Sequence, residues 1–518
     1  MKTKYKLMLA GAFLGVGLSA APLSSFAAEV IDAPDKADKV KVIDAGNVMS
    51  TYNDDDLTTV NNTSPQGNTS KKYDKYTLHP TDITEPNKYD TISGSSQKNS
   101  FSTQWFLPEG FNIAGYQHGN FQSVAFDDED NIYFLESAGT GTNQGAIVKF
   151  NVDKLKELGV GTKDTTAMWL AFDYFNPFTT EGAQHNKEYN EAYKKAPFAK
   201  KEALVETINK NKSWRNNQVN YRNNAKKYYQ GWKTKKAKYA KYTTARYSYK
   251  TRTKYKKLVA TATKKMATWM KSYQGHKTKI AAYDKKLAGY NKTLAGYQTQ
   301  IDKVKADNPE MFANADIAQT AQLSPIINIG HGQTLSFNPE NKHLYLAEDE
   351  SLSDLSVSEN NQVLEMDTNT LQPIREYRFK MLHDGSNFQL HTLGFDKSGN
   401  AYWGRKKGSG YMYFYGRLDE KDVKFAPSKS IVGKRGGNTN QFVSANPKND
   451  RVYFVSDDIL TSIPAAKVRK GNFTANDIHY QVFDSKREFE GLAFDQSGYG
   501  YLLMLWPPEL MKSSQPLN

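Results

Sequence analysis

Five copies of one short phrase recur along this chain, and they constrain its fold more than any other feature. The copies are Gln122–Asp127, Gln333–Asn338, His391–Asp396, Gln441–Asn446 and Glu490–Asp495. Each opens on a polar residue, continues through apolar or small ones and closes on Asp or Asn. A polar turn follows, then a second strand-like run with an aromatic: Ile132–Phe134, Leu344–Leu346, Ala401–Trp403, Val452–Phe454 and Tyr499–Tyr501. From the second copy on, the closing residues are spaced 58, 50 and 49 residues apart, at 338, 396, 446 and 495. One such hairpin cannot bury its apolar face alone, and repeats of this period point to a radial array. The expectation is an all-β five-bladed β-propeller with an inserted α-helical antiparallel coiled-coil hairpin.

In such an array the first strand of each repeat lines the centre, so a fixed position in it forms a ring. Here the ring is Gln122, Gln333, His391, Gln441 and Glu490, with His118 and His331 just before two of the strands. Amides, an imidazole and a carboxyl can hydrogen-bond sugar hydroxyls or a phosphate, or can simply satisfy one another. A glycosidase generally needs two carboxyls about the scissile bond. The ring holds one, Glu490; Glu488, Glu136 and Glu348 are further candidates, but the latter two end second strands and need not face the centre. No catalytic residue is assigned on that ground. The offsets of His118 and His331 from the ring position differ, so no metal site is assigned either. Asp127–Asn131 resembles the start of a calcium loop but lacks its glycine and terminal Glu; an Asx turn is the better reading.

Residues 1–27 read as an export signal, with Lys2, Lys4 and Lys6 before an apolar run and small residues ahead of Ala28. Residues 28–99 are polar and aperiodic, and the expectation there is a disordered spacer. Residues 100–185 hold the first part of the propeller, 186–310 a basic helical hairpin and 311–518 the remaining blades. The final repeat is two strands short, and Thr103–Leu107 with Phe111–Tyr116 are the strands expected to complete it.

The insertion follows a different period. Met266, Trp269, Tyr273, His276, Ile280, Tyr283, Leu287, Tyr290, Leu294, Tyr297, Ile301 and Val304 alternate steps of three and four, the seam of a coiled coil. Tyr221, Ala225, Tyr228, Trp232, Lys235, Tyr239, Tyr242, Arg246 and Tyr249 form a second, interrupted series. The two fall out of phase near Ser248–Tyr255, where the chain is expected to reverse. Arms of about 50 residues would reach about 75 Å. Residues 186–310 carry 32 Lys and Arg against 8 Asp and Glu, while the rest of the chain holds 37 and 47. A balance of +24 in one segment signals an anionic partner. The candidate contacts are Lys233, Lys235, Lys236, Lys238, Arg246, Lys250, Arg252 and Lys254, interleaved with Tyr. An exported protein meets wall polymers, anionic glycans or a membrane surface rather than nucleic acid.

The chain has no Cys, which excludes disulfides, thiol nucleophiles and Cys-ligated zinc, and no cofactor motif is present. Phe121–Tyr133, His331–Phe337 and Phe489–Phe494 resemble the helveticin J family of large, heat-labile bacteriocins over about 101–151 and 326–518. The resemblance supports Gln122, His331, Gln333 and Glu490 as family-like positions. It implies secretion and killing of related bacteria, while the 28–99 stretch and the basic hairpin depart from the family pattern. The reading is a secreted, non-catalytic, bacteriocin-like protein that binds the anionic envelope of Gram-positive bacteria. The alternatives are a glycan-binding adhesin and a glycoside hydrolase acting through Glu490.

Overall fold

A computed structural model describes residues 40–63, 85–112, 117, 119–138, 143–161, 164–348 and 353–518. The segment expected to be an export signal, 1–27, and His118 lie outside the described residues. Each repeat phrase forms the first strand of an antiparallel pair: β1 (Phe121–Phe126), β2 (Ser336–Asn338), β3 (Gly394–Phe395), β4 (Phe442–Asn446) and β5 (Glu488–Phe494). The closing Asp or Asn makes the turn. In all five copies its Oδ1 accepts the N–H two residues on, from Glu129, Glu340, Ser398, Lys448 and Ser497, at 2.8–3.0 Å. Each turn then places one residue at positive φ: Asp130, Lys342, Gly399, Asp450 and Gly498. An Asx turn followed by a left-handed residue reverses the chain within four or five residues, so the phrase ends as it does for a local reason. In two copies the second-strand tyrosine locks the turn, Tyr133 and Tyr402 each donating to the phrase's Asp at 2.7 Å.

The expected all-β five-bladed propeller is corrected. Among the described residues the strands fall into six separate sheets of five, two, six, four, five and five strands, none closed on itself, sharing the chain with long helices. The class is mixed α and β. The phrase dictates a hairpin, and everything beyond the hairpin is set by pairings distant in sequence. Two of these come from the stretch expected to be a disordered spacer. Lys41–Asn47 pairs in parallel with Pro373–Lys380, and Thr58–Val60 in parallel with Ser430–Val432. Lys88–Asp90 pairs with Ser100–Phe106. The last repeat is also completed differently. Its third strand is Glu509–Ser513, which Ser100–Phe106 then joins, whereas Phe111 and Asn112 are in no strand and 113–116 lie outside the described residues.

The five first strands nonetheless lie near one another, β1 beside β2 and β5, β3 beside β2 and β4, and β4 beside β5. Small residues permit this: a Cβ on Gly394 would stand 2.8 Å from the Val443 carbonyl oxygen. Ser123 Oγ donates to Gly332 O at 3.0 Å and Thr334 Oγ1 to His391 O at 2.8 Å. Val124, Phe337, Phe395, Ala445 and Phe494, one from each strand, line a common cavity.

The helical segment enters after Gln144–Asn151 and leaves before Gln322–Leu323, two strands that pair with each other. Residues 190–309 form a compact unit of their own. It is built on α1 (Phe198–Ala240) and α2 (Tyr249–Asp307), which at 1.5 Å per residue are about 65 and 88 Å long. Ser248 caps α2 by accepting from Thr251 N. The helix stops at Asp307 because Asn308 precedes Pro309 and leaves the helical region at φ −141°. The reversal occupies residues 241–248, slightly ahead of its expected place.

Ring pairs fix the helix register as antiparallel. Tyr242 stacks on Tyr255, Tyr228 on Trp269, and Tyr221 and Trp214 meet His276 and Tyr283. Steps of fourteen, seven and seven along α1 match the same steps along α2. On α2 every expected seam position from Met266 to Val304 is buried or half-buried. The other expected series is corrected in part: Ala225, Trp232, Tyr239 and Tyr242 are buried or half-buried as expected, and the rest are not. The less exposed series on α1 is Asn211, Arg215, Gln218, Arg222, Ala225, Tyr229, Trp232, Lys236 and Tyr239, while Tyr221, Tyr228, Lys235, Arg246 and Tyr249 are exposed.

Candidate functional site

Of the five leading positions, the structure joins three directly. Gln333 Nε2 donates to Gln122 Oε1 at 3.1 Å and to Glu490 Oε2 at 2.7 Å. All three side chains are buried; Gln333 is 2% exposed and Glu490 4%. Burial holds the Glu490 carboxyl well above the ordinary carboxylate range, the Glu488 charge adds to this, and donation by Gln333 opposes it. The three side chains are joined through the Gln333 amide nitrogen alone, and among the described residues Gln333 Oε1 has no hydrogen-bond partner.

Gln441 is tied to this group through a residue the sequence did not single out. Its Nε2 donates to Asp457 Oδ1 at 3.3 Å, and the same oxygen accepts from Phe489 N at 3.0 Å. The His391 ring lies beside that of the exposed His331, their centroids 6.1 Å apart. The leading positions thus include a buried amide–carboxyl cluster and an imidazole that pairs with a second one. The other carboxyls considered are engaged elsewhere. Glu488 accepts from Trp506 Nε1, Glu348 from Asn328 Nδ2, and Glu136 from Phe111 N. Burial pushes Glu136 up to about 8. Among the described residues no group of three or more His, Asp or Glu side chains could hold a metal ion.

A second buried polar centre was also missed. Arg487 Nη1 lies 3.2 Å from Glu509 Oε2, both side chains at 1% exposure or less. Arg487 Nε donates to Leu505 O, while Asn87 Nδ2 donates to Glu509 Oε2 at 3.0 Å. Arg487 and Glu509 are isolated single letters 22 residues apart, with no period to mark them.

The hairpin presents the opposite case. Lys233, Lys235, Lys238, Arg246, Lys250 and Lys254 are exposed, Arg252 is half-exposed, and Lys236 is half-buried in the α1 seam. Among the described residues these eight pair with no carboxylate. Lys235 lies over the Trp232 ring at 4.5 Å and Arg246 over Tyr247 at 5.0 Å. Lys250, Arg252 and Lys254 occupy the first two turns of α2, and in the first of these, with Lys250 and Arg252, the helix dipole already points positive. Stability alone would place carboxylates there. The reversal is therefore a concentration of positive potential next to stacked tyrosines.

A scan against models of known protein families finds no match to this chain, and a search of curated proteins finds none either. Among the described residues no helix is long and apolar enough to cross a membrane.

Proposed function

We propose that this protein is a secreted, non-catalytic binder of the anionic cell envelope of Gram-positive bacteria, acting through its basic hairpin. The antibacterial role implied by the helveticin J resemblance belongs to the same proposal. The observation that carries it is the set of cations from Lys233 to Lys254 that, among the described residues, have no carboxylate partner. Two of them, Lys250 and Arg252, lie in the first turn of α2, where the helix dipole disfavours them. A solvated, purely solubilising face mixes both signs, whereas this segment carries 32 basic against 8 acidic residues. The burial of Gln333 and Glu490, and their pairing with each other, support a structural part for the inner polar cluster.

The test is cosedimentation of the full chain with purified Gram-positive walls, before and after extraction of their anionic polymer, beside a growth-inhibition assay on the same strains. Binding that disappears with the extracted polymer supports the reading. Binding unchanged by extraction contradicts the envelope assignment, and absence of inhibition at any dose removes the antibacterial part.

A further inference from the structure

Three aromatic rings of α1 pair with rings of α2 at the rim of the seam and stay about half exposed. Trp214, Tyr221 and Tyr228 recur at seven-residue intervals and are 51, 54 and 53% exposed. The fully buried contacts between the helices are made by smaller side chains, among them Ala225, Ala262 and Ile280. Each exposed ring sits against a ring of α2, so the hairpin displays three flat aromatic rungs with one face or edge open. At 1.5 Å per residue the rungs stand about 10.5 Å apart, over a track of about 21 Å.

The residues between the rungs are also specific. Asn217 and Asn224 lie three residues beyond Trp214 and Tyr221, hence on the same stripe, and both are exposed. A primary amide both donates and accepts, which suits hydroxyl groups. On α2, Lys279 and Lys286 lie three residues beyond His276 and Tyr283, so cations border the rungs on the other helix.

We propose that this stripe is a linear site for an extended, β-linked anionic polysaccharide. Pyranose rings stack on the rungs, hydroxyls meet Asn217 and Asn224, and carboxylates or phosphates of the chain meet the lysines. The rung spacing is close to two sugar rings of such a chain, and far longer than the roughly 3.4 Å between stacked bases of a nucleic-acid strand. A lipid surface would favour aliphatic residues where the two asparagines stand. The inference rests on the envelope-binding reading and narrows it to a glycan recognised by shape as well as charge.

The experiment compares full-length protein binding to hyaluronate oligosaccharide and to inorganic polyphosphate of equal charge. The variants are the triple W214L/Y221L/Y228L, which keeps apolar bulk and helix propensity but removes the flat rings, and the double N217A/N224A at exposed positions. The triple variant is expected to bind hyaluronate about tenfold more weakly and polyphosphate unchanged. The double variant is expected to weaken hyaluronate binding alone. Equal loss for both polyanions, no loss in either variant, or wild-type binding of polyphosphate without hyaluronate overturns the stripe and leaves the electrostatic reading intact. Wild-type binding of neither polyanion contradicts that reading itself.

Discussion

The sheets and the hairpin treat polar groups in opposite ways. Within the sheets, Gln122 and Glu490 are both hydrogen-bonded to Gln333 Nε2, and Arg487 and Glu509 are paired at near-zero exposure. In the hairpin, cations from Lys233 to Lys254 face solvent without carboxylate partners, and aromatic rings stand half open. Buried polar groups must be paired because an unpaired one costs several times what its hydrogen bond contributes. Exposed charges carry no such penalty, so an excess of one sign there reflects a requirement other than folding. In the proposed reading the sheet network carries stability and the hairpin carries recognition.

The largest expected effect breaks the sheet side. Arg487→Met leaves the Glu509 carboxylate buried with only Asn87 and Thr103 as donors and is expected to cost about 3–5 kcal/mol in denaturant titration. A loss below about 1 kcal/mol would place that pair outside the folding core. A smaller but more specific effect concerns Glu136. Its carboxyl is raised in the folded state from 4.5 to about 8, so the native chain holds a proton that the unfolded chain releases. The proton-linked stability is therefore complete below the unfolded value and lost as pH rises through about 8. Glu136→Gln is expected to remove this slope, so the stability difference between wild type and variant should change across that window and flatten outside it.

Asp127→Ala removes the carboxylate that accepts from Glu129 N, Asn131 N and Tyr133 OH, and about 2–3 kcal/mol is expected. The smallest effect sharpens the other half of the comparison. Replacing Lys233, Lys235 and Lys238 by Gln is expected to change melting stability by no more than about 0.5 kcal/mol, because these side chains are exposed and, among the described residues, pair with no carboxylate. Lys235 only covers the Trp232 ring of its own helix.

What the sequence disclosed follows the range of the forces involved. The closing Asp or Asn of each phrase was legible because an Asx turn needs that side chain at that place. The α2 seam was legible because Ile280 and Ile301 mark the buried stripe and the half-buried positions between them keep its period. On α1 the expected series included Ala225, which is buried, but also Tyr221 and Tyr228, which are exposed, whereas further inward positions hold Gln218 and Arg222. Ring size is a poor guide to burial when a ring can stack on the rim. The strand at Lys41–Asn47 was illegible because most of its residues are exposed and its order comes from the backbone of Pro373–Lys380. The all-β reading failed for a related reason: five phrases specify five hairpins, while sheet width depends on pairings across hundreds of residues. The leading residues could be aligned in sequence, but the link through Asp457 required the structure.

The most direct test of the assignment is the salt dependence of full-length binding to purified anionic wall polymer, wild type against Lys233→Gln, Lys235→Gln and Lys238→Gln combined. The account predicts that wild-type affinity falls steeply as ionic strength rises, and that the variant binds more weakly with a shallower slope at unchanged melting temperature. Wild-type affinity indifferent to salt, or a variant that binds as the wild type does, would contradict it.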